Sequence, residues 1–436
     1  MNRTRKLEYK WVIVVISCFM VFTVLGFCSS ANSMYITPIT EALGISRGAY
    51  SVTTSVRYIT TSVVNIFFGA LIYRFGEKKL IIGGFVSLIT STFVYSIASD
   101  VAVFAIGSVF LGIGLSFTTT AMVGTVVNKW CAKNKGTIMG IALASNGVGA
   151  AVARVILTPI INSGDPFGYR DAYRLVILIL AFAAIVMLLF FRNDPEGKVA
   201  EKIASEKKKI NTQDEINVFK KPYFYVAMVS IFLTGLVLQS ISGIADPHFK
   251  DKGVETALIT TALSIHSIVL SLSKFTTGFL YDKAGLRVAS SVCYGAAIIA
   301  MLSLGLVGHD TFGSFPAFVY SVLSSAALPL ETIMLPIFAR ELFGENGFKR
   351  VLGVFVSVNT AGYAVGGPIA NFIFDITGSY DSWIFISTAI IAIVFIAMNI
   401  VISASSADQK KEHELENTVA VQTQKTGNNS KNADMF

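Results

Sequence analysis

The chain has 436 residues, 53% of them hydrophobic and 14% charged, with a mean hydropathy of +0.64. Soluble domains carry roughly 25% charged residues, so the composition excludes a water-soluble fold and predicts a polytopic membrane protein. The formal charge of +8 would suggest nucleic acid in a soluble chain, but cytoplasmic loops of membrane proteins collect Lys and Arg, and no nucleic-acid partner is expected.

A span needs about 20 mostly apolar residues. Twelve such segments follow one another, at 11–35, 50–73, 79–98, 101–127, 136–161, 172–191, 222–245, 256–281, 287–307, 314–338, 351–374 and 382–403. All are expected to be helices, because lipid leaves an open backbone no other way to satisfy its polar groups. The first begins after the basic segment Arg3, Arg5, Lys6 and Lys10 and runs too long for a signal-peptide core, so it reads as a permanent span. The loop from Arg192 to Lys221 is the longest and is strongly charged, dividing the chain into six spans and six. The expected organisation is a 1–10 N-terminal segment, an 11–191 bundle, a 192–221 central loop, a 222–403 bundle and a 404–436 tail. That tail is rich in Lys, Asn, Gln and Glu and reads as disordered.

With the N-terminus placed inside, 27 Lys and Arg fall on the inner side, five on the outer side and three within spans. This asymmetry predicts both termini in the cytoplasm of a cell whose plasma (inner) membrane holds the protein. Cys18, Cys28, Cys131 and Cys293 have no pairing or metal-ligand spacing. No nucleotide loop, hydrolase elbow or zinc motif is present, so neither enzyme, cofactor nor metal is expected, and transport must draw on a gradient. A monomer is expected.

The two halves repeat each other. Gly69, Tyr73, Arg74, Gly76 and Lys78 follow span 2, and Gly278, Asp282, Lys283, Gly285 and Arg287 follow span 8, each displaced by 209 residues. Gly140, Asn146 and Gly149 in span 5 recur as Gly353, Asn359 and Gly362 in span 11, displaced by 213. Either copy alone is ordinary helix-end chemistry. Two matched pairs at nearly one offset predict a duplicated six-helix unit, with a central site between two pseudo-symmetric bundles.

The loop motif resembles the signature of the major facilitator superfamily, over residues 11–403. The resemblance implies two six-helix bundles that rock to expose a central site to each side in turn. It also implies that the motif acid locks the halves, a role that falls to Asp282, with Gly69, Arg74, Gly76, Gly278, Gly285 and Arg287 shaping the two loops. Tyr73 stands where the first copy would carry its acid. Within the superfamily the chain is similar to the monocarboxylate and oxalate–formate branch. The supporting residues are Lys274 four before Gly278, Glu341-Leu342-Phe343-Gly344 followed by basic residues and Gly353, and Asn128-Lys129-Trp130 with Lys135-Gly136 and Gly140. The branch implies that Lys274 meets a substrate carboxylate. The chain departs from it in having Lys rather than Arg there, Phe275 rather than Pro, and no charge in span 11.

Four charged residues lie well within spans: Arg57, Arg154, Lys274 and Glu331. A cation at the centre of a span costs about 2.5–3.5 kcal/mol on insertion scales, so such groups face a cavity or a partner. Three cations against one acid leave +2, which favours a small anionic substrate. Ser264, Ser267, Ser271 and Lys274 share one helical face, as do Thr53, Arg57 and Thr60, and Ser321, Ser324 and Glu331. Asn146 and Asn359 are the matched polar residues of spans 5 and 11. The substrate site is therefore assigned to Lys274, Arg57, Arg154, Ser271, Ser267, Asn146 and Asn359, with Glu331 and His266 as candidates for proton coupling. Competing readings stay open. Arg57 can snorkel to the outer interface, Arg154 can pair with Glu331 or another acid, and His266 suits helix packing. Asp246-Pro247 reads as a helix end, and Tyr35 and Tyr58 as packing or cavity aromatics. The expected function is secondary transport of a mono- or dicarboxylate, by proton symport or anion exchange. The alternatives are efflux of amphipathic compounds and a non-transporting sensor.

Overall fold

The computed structural model describes residues 3–131, 135–192, 221–308 and 315–433, with side chains left aside at 3–8, 128, 135–137, 345–350 and 410–433. Most of the central loop, 193–220, lies outside the described residues. In chain order the helices are α1 (Arg3–Leu25), α2 (Ile36–Leu43), α3 (Arg47–Phe75), α4 (Glu77–Ile97), α5 (Val101–Thr118), α6 (Thr120–Trp130), α7 (Lys135–Ile161) and α8 (Gly168–Phe190). They continue with α9 (Pro222–Asp251), α10 (Thr256–Gly305), α11 (Phe315–Ala327), α12 (Met334–Thr377) and α13 (Asp381–Ala433).

Ten of the described helical stretches are long and apolar enough to cross a bilayer, and the pair on either side of residues 332–333, bent by 43°, makes an eleventh. The 50-residue α10 is broken at Gly285, and counting its two arms separately gives the twelve expected spans. Two separate apolar cores run from Ile13 to Phe191 and from Tyr223 to Ile402. Each half therefore buries its own interior, and the halves meet where α3 packs on α12 and α7 on α10.

Local chemistry accounts for the helix ends. Ser46 caps α3 by accepting the amide of Ala49 at 3.1 Å, and Asp100 caps α5 through the amides of Ala102 and Val103. Such caps contribute about 1 kcal/mol each. The last glycines of the two loop motifs adopt one backbone conformation, Gly76 at φ 76°, ψ 161° and Gly285 at φ 80°, ψ 175°. A side chain disfavours this positive-φ region, so both copies need glycine there to turn the chain between spans.

The repeat also shows in packing. A Cβ on Gly149 would stand 2.2 Å from the Phe22 carbonyl oxygen, and one on Gly362 would stand 2.4 Å from that of Phe232. Spans 5 and 1, and their counterparts 11 and 7, thus cross backbone to backbone at equivalent points, as small residues allow in membranes.

Three expectations are corrected. Span 1 is not a plain helix: it loosens into a π turn at Gly26–Ser30 and a 3₁₀ turn at Asn32–Tyr35 before α2. Span 10 breaks at a 3₁₀ turn, Leu328–Glu331, around Pro329, which has no amide to donate. Ser321, Ser324 and Glu331 therefore do not share one continuous helical face. The segment after Ala404 continues α13 as helix to Ala433 instead of losing regular structure. Its Ala, Glu, Gln and Lys are good helix formers, and extending a helix already formed by the span needs no new nucleus.

Candidate functional site

A cavity of about 820 Å³ lies between the halves, walled by α3, α7, α9, α10, α12 and the two irregular turns of spans 1 and 10. The irregular turns matter because they turn Ser29, Ser30, Asn32 and Ser33 from one half, and Glu331 from the other, onto its wall. Non-helical backbone at membrane depth is tolerated where it lines such a cavity.

The halves are closed together at the end bearing Arg47. The Arg47 guanidinium holds Asp251 of the other half through both terminal nitrogens, and the amides of Arg47 and Gly48 donate to Asp375 at 3.1 and 2.8 Å. Deeper in, Ser55 donates to the Ala364 carbonyl, Ser271 donates to the Ala144 carbonyl at 2.8 Å, and the rings of Tyr58 and Tyr363 meet at 5.4 Å. Towards the end bearing the two loop motifs, Glu77–Lys129 joins residues of the first half and Lys221–Asp408 residues of the second. The cavity wall reaches in that direction through Asn65, Lys274 and Ser357.

Arg57 sits in this wall, 5% exposed, with its guanidinium over the Tyr58 ring at 4.4 Å. Its Nε and Nη1 have no hydrogen-bond partner among the described residues. Its burial excludes the reading in which it snorkels to the interface. Leaving a buried donor unmade costs about 1–3 kcal/mol, and more when it is charged. Lys274 lines the same cavity from the second half, as does Glu331, whose charge acts on it. Glu331 is buried beside Tyr363, and its Oε1 lacks a donor among the described residues.

Arg154 is different. It pairs at 3.0 Å with Asp246 of the other half, not with Glu331, and its second terminal nitrogen donates to Ser33. Asp246 is no helix end: α9 runs through Pro247 to Asp251, and Asp246 is 3% exposed. With Arg154 and Asp246 cancelling, the cavity retains Arg57, Lys274 and Glu331, and the expected +2 becomes a formal +1.

The remaining expected residues separate. Ser267 and Asn146 line the cavity, Asn146 accepting from Ser30 at 3.0 Å. Ser271 bridges the halves through the Ala144 carbonyl. Asn359 does not face the cavity: it is 2% exposed and donates to the Ile231 carbonyl against Gly235. His266 lines the wall, yet its Nδ1 is held by Ser321, Ser324 and Ser325, which fits the packing role. Tyr35 stacks on Tyr173 at 4.3 Å within the first core, whereas Tyr58 belongs to the wall. Of the motif residues, Arg74 and Asp282 are exposed, and Arg287 donates to Ser403. Among the described residues, nothing outside the glycine's own stretch of helix lies within 4 Å of a Cβ placed on Gly69 or Gly278, so neither glycine is required for close contact in this arrangement.

Sequence reasoning missed Asp246 and Tyr363. Asp246 carried a signal: Lys250 stands one turn on and pairs with it at 3.0 Å. Tyr363 carried none apart from its place one turn after Asn359.

Residues 17–329 match the family model of the Major Facilitator Superfamily. The chain is 24% identical over 426 residues to the uncharacterized MFS-type transporter YcxA of Bacillus subtilis (strain 168), covering 94% of this chain and 98% of that one. It is 22% identical over 300 residues to monocarboxylate transporter 12 of Rattus norvegicus, covering 63% and 61% respectively. The structure of the nucleoside transporter NupG aligns with a TM-score of 0.72 at 14% identity, over 92% of this chain and 99% of that one.

Proposed function

Since the chain belongs to the major facilitator superfamily, and so is a multi-pass membrane transporter, we propose that it carries a small organic anion, a mono- or dicarboxylate, by alternating access. The observation that carries this reading is the buried Arg57, with two donors unpartnered among the described residues, in a cavity that Lys274 also lines from the other half. An anion between them supplies the missing acceptors and draws one contact from each bundle. The guanidinium fork suits a carboxylate. A monocarboxylate transporter among the relatives is consistent with that chemistry. The charge asymmetry of the loops assigns the motif-bearing end and both termini to the cytoplasm of the plasma (inner) membrane, which makes the closed end external and this arrangement inward-open. Glu331, in the same cavity wall as Lys274, is the group we assign to proton coupling if transport is symport rather than exchange.

Proteoliposomes should accumulate labelled lactate or oxalate down an imposed gradient and leave labelled uridine outside. Uptake of the neutral nucleoside with no uptake of either anion would overturn the reading. For orientation, a cysteine at Asp165 should react with an impermeant maleimide in intact cells, and one at Arg74 only after permeabilisation. The reverse pattern would invert the topology.

A further inference from the structure

Four charged or polar groups meet where α7 reaches the closed end, and they are not equivalent. Arg154 and Ser33 belong to the first half, Asp246 and Lys250 to the second. Arg154 spans the two by holding Asp246 at 3.0 Å. Asp246 has a second cation of its own, Lys250, at 3.0 Å on the same helix. Among the described residues, Arg154 has on its own side only the neutral Ser33 hydroxyl, also at 3.0 Å, and its Nε has no hydrogen-bond partner. Arg154 and Ser33 are part of the cavity wall, whereas Asp246 lies behind it, near Thr158 and Thr260.

When the halves part at this end, the Arg154–Asp246 pair must break. Asp246 then keeps Lys250 and remains neutralised. Arg154 is left as a buried cation facing the cavity, on the same half as Arg57. Breaking a buried pair is unfavourable mainly because of the charge left uncompensated. The uncompensated charge here is therefore a cation, and it lies at the transport site.

We propose that Arg154 exchanges Asp246 for the transported anion as the outer end opens, and that Lys250 makes the exchange possible by holding Asp246 neutral. This inference rests on the anion reading given above and adds a rule of coupling to it. Without substrate, Arg154 stays on Asp246 and holds the outer end shut. With substrate, the carboxylate replaces Asp246, and opening leaves no bare charge. A ligand shifts such an equilibrium only through its differential affinity for the two states, and Arg154 is the residue that provides the difference.

The proposal predicts opposite signs for two neighbouring residues. The readout is the rate at which an impermeant maleimide, added from the side bearing Arg47, alkylates a cysteine at Asn32. The full chain is used in right-side-out vesicles with Cys18, Cys28, Cys131 and Cys293 replaced. Asp246→Asn should raise this rate about tenfold, because the cross-half pair is gone. Lys250→Ala should lower it about tenfold, because opening now strands Asp246 as well. A plain clamp predicts the contrary for Lys250, since its Nζ also reaches the Met34 carbonyl of the first half at 3.4 Å. A rise in Lys250→Ala, or no change in either variant, overturns the proposal.

A second measurement separates this inference from the reading beneath it. Lactate should accelerate alkylation of the protein with Arg154 intact and add nothing to an Arg154→Gln variant that is already fast. Equal acceleration in both refutes the exchange while leaving anion transport standing. If neither lactate nor oxalate binds the intact protein by calorimetry, the anion reading fails and the exchange fails with it, whatever the signs of the two substitutions.

Discussion

Arg57→Gln is expected to weaken lactate or oxalate binding by thirtyfold or more, and Lys274→Gln to do so from the opposite half. Arg57 is 5% exposed and two of its donors lack acceptors among the described residues. An anion that fills them makes charge-assisted bonds away from bulk water, and truncating one partner of such a contact costs about 2–5 kcal/mol. Each 1.4 kcal/mol or so is a factor of ten in affinity. Arg57→Lys should recover only part of the loss, since it keeps the charge and gives up the planar fork. Lys274 has Glu331 acting on it, so a single replacement is ambiguous. If its task were only to neutralise that acid, Lys274→Gln combined with Glu331→Gln should restore binding. If Lys274 meets the anion, the double variant should stay weak. Calorimetry on protein with an unchanged thermal transition decides between these, and full affinity in both single variants would refute the site.

Two glycines on α7 should give contrasting results. A Cβ at Gly147 would stand 2.1 Å from the Ser267 carbonyl oxygen of the other half, and one at Gly149 would stand 2.2 Å from the Phe22 carbonyl oxygen of its own half. Gly147→Val is expected to leave each bundle folded but to wedge α7 from α10, so that the closed end no longer closes. Transport should cease while alkylation of a cysteine at Asn32 from the outer side rises about tenfold or more. Gly149→Val puts the same methyl groups into the core of the first bundle, where backbone meets backbone and nothing flexible can yield. Overpacking of that kind costs about 1–3 kcal/mol or more, and the expected result is a lowered thermal transition with little folded protein. A Gly147→Val protein that transports normally would show that α7 and α10 need not approach as closely as they do here.

The membrane class, the twelve spans and the twofold repeat were legible in the residues because each depends on local or periodic quantities. Apolar length decides whether a segment can cross, the matched motifs around Gly76 and Gly285 mark the same turn twice, and Gly149 and Gly362 mark the same helix crossing twice. Arg57 and Lys274 were legible as cavity residues for a related reason: an ionised group in a span is too costly to face lipid. The pairing of the charges was not legible. Arg154 lies 92 residues from Asp246 in the chain, and nothing in the spacing of either helix says that the two bundles bring them within 3.0 Å. Pro247 disguised Asp246 as the end of a helix that in fact runs on to Asp251. Asn359 matches Asn146 in the sequence pattern, yet one donates to the Ile231 carbonyl inside its bundle and the other lines the cavity. The sequence by itself thus determined which groups cannot face lipid. Only the tertiary structure decided which are neutralised by a partner and which keep buried polar atoms without one among the described residues, because that depends on distances across the interface between two halves, which helical periodicity does not contain.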